Sequence, residues 1–341
     1  MIKKSIQLLF VLTAIGLLSA CSDEKLPVVH LQGDTMGTTY NVKYVVNKNQ
    51  QKVEGLQTTI DNRLQQVNKL MSTYDPESEL SRFNQSRYTA PFNASEETRS
   101  VVAEALRINK LSEGALDVTV GPLVNLWGFG PTKRPEKVPT DSQIAEVRDY
   151  VGSEKLRITQ SGLQKTHPQV YVDLSTIAKG YGVDKIAAIL ELQNIHDYLV
   201  EIGGEMRVKG QRGDGSGWLI AVEKPLSSGR AVQKVLSVGT NAVATSGDYR
   251  NYYEQDGVRY SHLIDPRSGK PIDHNLVAVT VVASSSMTAD GLATALNVMG
   301  WDAAKKLAEQ ENLAVLLIRH HNDEFEEYIS TAFDETVEIK N

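Results

Sequence analysis

Apolar and polar positions alternate at Tyr40, Val42, Tyr44 and Val46, which predicts a paired β-strand. Residues 33–40 lead into it as a polar, glycine-bearing loop that carries Met36. The period then changes. Ile60, Leu64, Val67 and Met71 recur at helical spacing and predict a helix over 57–71, which Asp75-Pro76 stops, leaving Tyr74 on a turn. Ser95 opens a second helix with Val101, Val102, Ala105, Leu106 and Ile108 inward, ended by Gly114. Thr140-Asp141-Ser142-Gln143 is a capping box opening a short helix. Ile177, Tyr181, Ile186 and Leu190 predict a helix over 176–192 with Ser175 as its N-cap. Strands follow at 198–202, ending at Gly203-Gly204, and at 218–222. A strand at 276–283 delivers a helix whose apolar face is Leu292, Leu296 and Met299. A helix over 302–312 and a hairpin pairing 313–318 with 325–329 complete the pattern. Between these elements, 123–131 reads as an apolar, turn-rich surface, 133–139 as a loop, and 245–248 as a small polar turn.

Composition narrows the function. The 341 residues are 41% apolar and 23% charged, as in soluble globular proteins, and make one large domain or two closely joined lobes. A net charge of −6, with no basic tract or aromatic platform, argues against a nucleic-acid partner. The first residues are a targeting segment. A basic start (Lys3, Lys4) precedes an apolar stretch from Ile6 to Leu18, too short for a stable membrane span. Leu18-Ser19-Ala20-Cys21 then reads as a bacterial lipobox. The expectation is a signal peptide over 1–20, a lipidated Cys21 and a tether over 21–32. Cys21 is the sole cysteine, and losing Lys3 and Lys4 takes the formal charge from −6 to −8. A lipid-anchored protein on the periplasmic side of the inner membrane follows, with Ser22 favouring sorting to an outer membrane instead.

Several stretches bring chemistry. Asp173-Leu174-Ser175-Thr176-Ile177-Ala178-Lys179-Gly180-Tyr181-Gly182 joins an extended approach to a helix start, where unpaired N–H groups and Lys179 suit a phosphate. The backbone at Ala115-Leu116-Asp117 suits the edge of a planar heterocycle, and the Asp117 carboxylate can accept from one. Met36 either packs on a flat ring or fills core, and Tyr74 either stacks or caps the core. Asp290 and Thr294 lie one helical turn apart, so their oxygens share a face that can hold a hard cation, or serve the helix start and packing alone. His262 lies beside the Asp265-Pro266 turn as a proton acceptor or a structural hydrogen-bonder. His320-His321 falls in a hairpin loop and is discounted as a metal site. No dinucleotide fingerprint follows a strand.

Taken together, the ordered motifs resemble the ApbE family of FAD:protein FMN transferases. They are Gly33-Asp34-Thr35-Met36-Gly37-Thr38, Asp173-Leu174-Ser175 with Lys179-Gly180-Tyr181, Ile202-Gly203-Gly204-Glu205, His262-Leu263-Ile264-Asp265-Pro266 with Gly269 and Pro271, and Ala289-Asp290 with Thr294. The resemblance spans roughly residues 30–335. It implies an α+β fold with a T-fold-like core, one two-lobed catalytic domain over 33–341. It implies FAD as substrate, cut at its pyrophosphate with Mg²⁺. FMN is left on a Thr or Ser of an acceptor protein through a phosphoester, and AMP leaves. The implied acceptors are periplasm-facing subunits of membrane redox pumps, such as the Na⁺-translocating NADH:quinone reductase and the Rnf-type complex. Met36, Tyr74, Ala115, Leu116, Asp117, Asp173, Lys179 and Ile264 match flavin-contacting positions. Thr176 (through its carbonyl), Asp290 and Thr294 match metal positions. Some members carry an acidic residue where Lys179 stands, and some a second Asp where Ala293 stands, which makes metal ligation here leaner. For the proton of an acceptor hydroxyl, His262 is the first candidate base and Asp265 or Asp173 the second. The rival readings are a Mg²⁺-dependent FAD pyrophosphatase and a flavin-binding lipoprotein without catalysis.

Overall fold

The computed structural model describes residues 25–47, 52–130, 138–226, 229, 231–248, 251–322 and 324–340. The signal peptide, the lipidation at Cys21 and residues 133–137 of the expected loop fall outside the described residues. The principal strands in chain order are β1 (Val28–Thr35), β2 (Thr38–Val45), β3 (Tyr198–Ile202), β4 (Glu205–Lys209), β5 (Leu219–Glu223), β6 (Val232–Ser237), β7 (Ala242–Gly247), β8 (Leu276–Ala283), β9 (Ala314–His321), β10 (Glu324–Ile329) and β11 (Glu338–Lys340). The helices are α1 (Leu56–Met71), α2 (Glu79–Gln85), α3 (Glu96–Leu111), α4 (Gly121–Leu126), α5 (Asp141–Arg148), α6 (Ala178–Leu192), α7 (Ser286–Met299), α8 (Trp301–Gln310) and α9 (Thr331–Thr336).

The fold is α+β, as expected. Eight strands form one sheet in the order β1-β2-β3-β4-β7-β8-β9-β10, with every neighbouring pair antiparallel. A smaller sheet has the order β11-β6-β5. Strand β8 explains the layering. Its run Leu-Val-Ala-Val-Thr-Val-Val is buried throughout, because both of its faces are covered. Val279 and Val281 face α3, α6, α7 and α8, and Val277 and Val282 face β5, β6 and α9. Each such side chain contributes about 1.5–3 kcal/mol of burial. At the sheet edge Tyr40, Val42 and Tyr44 pack on Ile60, Leu64, Val183 and Ile186, as their periods predict.

Two helices set the position of everything that follows. α6 and α7 cross so closely that a Cβ on Gly180 would stand 2.2 Å from the Ser286 carbonyl oxygen. Asp184 of α6 holds the crossing from the side. Its carboxylate accepts from the Ser285 hydroxyl at 2.7 Å and from the Ser286 and Met287 N–H groups at 3.0 Å. Asp184 and Ser285, whose hydroxyl caps Thr288, thus cap the start of α7 together.

The structure corrects several expectations. Residues 28–32 are not tether but the first part of β1, paired through a full ladder with β2. Met36 and Gly37 form the two-residue turn of that hairpin, both at positive φ, which the strand twist favours. Ser175 is not an N-cap. α6 begins at Ala178 after a turn in which the Leu174 carbonyl accepts from both Ile177 and Ala178. Residues 121–126 form α4, and its neighbour Trp127 is buried, its indole N–H donating to the Gly269 carbonyl at 2.9 Å. Thr245-Ser246-Gly247 is strand rather than turn, because the ladder to β8 outweighs its small-residue composition. His320 and His321 sit in β9 opposite Phe325 and Glu324, not in the loop. α8 begins and ends one to two residues earlier than its pattern suggests.

The Gly180 crossing carries a testable consequence. Gly180→Ala forces backbone against backbone and is expected to cost about 1–3 kcal/mol. Gly291→Ala, whose new Cβ would meet only the tip of the Ile108 side chain at close range, is expected to cost less. Urea unfolding compares the two, and equal stabilities would contradict the crossing.

Candidate active site

At the N-terminal ends of α6 and α7 lies a cavity of about 380 Å³. A second chamber of about 530 Å³ adjoins it, walled by Met36, Val67, Asn68, Met71 and Ser72. Tyr74, Asp173, Ser175 and Lys179 line both, so the two chambers meet at these four residues. Their combined size falls in the range of small-molecule sites.

Of the residues singled out in the sequence, Tyr74, Ala115, Leu116, Asp117, Asp173, Thr176, Lys179, His262, Ile264, Asp290 and Thr294 line the first cavity. Met36 lines the second, its backbone at φ 51, an uncommon value for a non-glycine residue. Asp265 lines neither. Its carboxylate accepts from Arg267 at 2.9 Å. Asp117 also has internal partners. Its carboxylate accepts from the Thr119 N–H (2.7 Å) and hydroxyl (2.6 Å) and from the Ser153 N–H (2.9 Å), so its side chain ties loops together at the cavity wall. Asp173 accepts from the Ser175 N–H at 2.9 Å and shapes the turn before α6.

Charge concentrates where the chambers meet. The Lys179 ammonium lies 2.6 Å from Glu205 Oε1, and Asp290 Oδ2 accepts from the Gly180 N–H at 3.0 Å. Burial opposes the Lys179 charge, yet Asp290 and Glu205 together hold it above the ordinary range. Burial pushes the Asp290 carboxyl up to about 8, against the pull of Lys179 and with help from Glu205. Burial raises Glu205 as well. In the sequence Glu205 stands out only as the end of a glycine motif. The signal that could have found it is an acidic residue opening a strand that the fold buries.

The Gly180–Asp290 bond has a second effect. The Gly180 N–H would ordinarily close the first helical turn onto the Thr176 carbonyl. Diverted to Asp290, it leaves that carbonyl without its helical donor. The Thr176 hydroxyl is also buried without a partner. Among the described residues no three His, Cys, Asp or Glu side chains converge as a metal cluster. Asp290, Thr294 and Thr176 line one cavity and offer hard oxygen donors. They fit a small hard cation, which keeps several waters and needs few protein ligands.

His262 is held by its backbone N–H and one ring nitrogen. Its backbone N–H donates to the Asn251 carbonyl at 3.1 Å, and its Nδ1 lies 3.0 Å from the same oxygen. A carbonyl only accepts, so Nδ1 carries the proton and Nε2 is left as the acceptor. Burial lowers the imidazole below its ordinary value, which keeps it neutral near pH 7.

A raised carboxyl pKa weakens the fold as pH rises. The Asp290 contribution is fully present below its ordinary value of 3.8 and is lost as pH climbs toward about 8. The slope is at most about 1.4 kcal/mol per pH unit. Without divalent cations, Asp290→Asn is therefore expected to be more stable than the parent chain at pH 8, with the gap closing toward pH 5. Urea titrations with chelator at both pH values check this, and a gap independent of pH would contradict it.

The sequence model of the ApbE family matches residues 36–317. The chain is 54% identical over 325 residues to the FAD:protein FMN transferase of Vibrio cholerae, covering 95% of this chain and 97% of that one. It is 49% identical over 337 residues to the FAD:protein FMN transferase of Haemophilus influenzae, covering 95% of each. Among solved structures, the apo flavinyl transferase ApbE of Pseudomonas stutzeri superposes with a TM-score of 0.85 at 39% identity, over 92% of this chain and 98% of that one.

Proposed function

The chain belongs to the ApbE family, and on that premise we infer that it is an FAD:protein FMN transferase. It splits FAD at the pyrophosphate and joins FMN to a hydroxyl of an acceptor protein. The observation that carries this reading is the pair of chambers meeting at Lys179 and Asp173. FAD has the matching form, two ring systems joined through an anionic pyrophosphate, and the cation Lys179 stands where the joint falls.

The residues then divide the work. Phosphoryl transfer asks for positioning and charge neutralisation more than for covalent help. Ala115, Leu116 and Ile264 offer a largely buried wall for the ring, and Tyr74, 76% exposed, stands at the mouth of both chambers. Lys179 faces the pyrophosphate. The acceptor hydroxyl oxygen bonds to the FMN phosphorus as the bond to the AMP phosphate oxygen breaks. His262 Nε2 takes the hydroxyl proton, and AMP leaves with the bridging oxygen. Asp290, Thr294 and the Thr176 carbonyl would hold Mg²⁺, which when bound supplies charge neutralisation at the pyrophosphate.

The acceptors we propose are periplasm-facing subunits of membrane redox pumps, of the Na⁺-translocating NADH:quinone reductase and Rnf types, modified on a Thr or Ser. The support is the family resemblance together with the basic start, apolar stretch and lipobox at Cys21, which favour a lipid-anchored enzyme on the periplasmic side of the inner membrane.

The test incubates the chain from Ser22 onward with FAD, Mg²⁺ and a Thr-bearing acceptor domain. Intact mass and in-gel flavin fluorescence read the product. The acceptor is expected to gain one FMN, and to gain none with Asp290→Ala. Free FMN and AMP with no labelled acceptor would instead mark a pyrophosphatase, and bound but intact FAD a flavin carrier. His262→Ala is expected to slow transfer by about 10²–10⁴-fold while FAD binding persists. An undiminished transfer rate would remove His262 from the reaction.

A further inference from the structure

Glu205 is a buried carboxylate, 4% exposed, whose Oε1 meets the Lys179 ammonium and whose Oε2 is buried without a partner. Leaving such an acceptor unsatisfied disfavours the fold. The surrounding structure holds it there firmly. Glu205 opens β4 directly after Gly203 (φ 60) and Gly204 (φ 106). Glu201 braces that turn, accepting from the Gly204 N–H and the Asn41 amide, each at 2.8 Å. A Cβ on Gly203 would stand 3.4 Å from Lys179 Cδ, so the lysine stem runs over the bare glycine to reach Glu205. The lysine is thus guided along its stem and gripped at its tip.

Asp290 is the competing partner. It also attracts the Lys179 ammonium, and it is the carboxylate on which the proposed cation site depends. An ammonium resting on Asp290 would occupy the oxygen that a cation needs. We propose that Glu205 is a positioning residue: it holds Lys179 off Asp290, leaving Asp290 open for the divalent cation and the ammonium facing the pyrophosphate. This inference rests on the transferase reading above and adds to it a residue that acts through Lys179.

The experiment compares Glu205→Gln, Lys179→Met and the double variant in the chain from Ser22 onward. Isothermal titration of Mg²⁺ into the FAD-free protein gives cation affinity, and acceptor labelling gives kcat and KM for FAD. Glu205→Gln frees Lys179 to settle on Asp290, so it is expected to weaken Mg²⁺ binding and lower kcat/KM by about 10–100-fold each, the usual cost of losing such a supporting partner. Its unfolding midpoint is expected to stay level or rise. In the Lys179→Met background the same substitution is expected to change neither Mg²⁺ affinity nor rate. Unchanged affinity in Glu205→Gln, or an equal loss in both backgrounds, would overturn the proposal. If Glu205→Gln does not fold, the double variant is compared with Lys179→Met, since both lack the lysine charge. Equal Mg²⁺ affinity in those two supports the proposal, and weaker affinity in the double variant would overturn it. A parent chain that fails to label the acceptor would defeat the transferase reading itself, an outcome separate from either of these.

Discussion

The structure depends on one close crossing, that of α6 over α7 at Gly180. Only a residue without a side chain allows the two backbones to approach this far, and the approach is what brings Asp290 within 3.0 Å of the Gly180 N–H. From that bond the site follows. The Thr176 carbonyl loses its helical donor, and Thr176 lines one cavity with Asp290 and Thr294 of α7. Asp184 secures the same crossing from its other side by capping α7, so the geometry is held by both packing and hydrogen bonds.

The same region stores unfavourable charge. Asp290 and Glu205 are buried carboxylates served by a single ammonium, and one oxygen of Glu205 has no partner. A fold selected for stability alone would replace them with apolar groups of similar volume, since buried ion pairs are often no better than well-packed hydrophobic residues. Their presence at the junction of two chambers fits a site that gains its balance when substrate and cation arrive. Such a site binds ligand with the energy it withholds from the empty fold.

Much of the architecture was legible because it is periodic. The helical faces of α1 and α3 and the alternation in β2 have one buried side each, and a one-sided burial leaves a pattern in the chain. The corrections share a different cause. Thr245-Ser246-Gly247 looks like a turn locally, yet it pairs with β8, more than 30 residues later in the sequence. Ser175 looks like a helix cap, yet a carboxylate 110 residues away takes the N–H that would have defined the helix start. Asp265 reads as a free carboxylate, yet it is bonded to Arg267. Asp117 reads as a free acceptor, yet its carboxylate is bonded to Thr119 and Ser153.

Residue type and spacing were enough for most element types, the ordered motifs that resemble one family, and most of the singled-out residues that line the cavity. These properties survive without knowledge of neighbours. Which side chains are free to act was settled only in three dimensions. Folding spent the carboxylates of Asp117 and Asp265 on internal bonds, left His262 Nε2 available by fixing Nδ1 on Asn251, and joined Glu205 to Lys179. The physical reason is that a polar group's availability depends on its partners. In this fold those partners are often far away along the chain, and so invisible to any local reading of it.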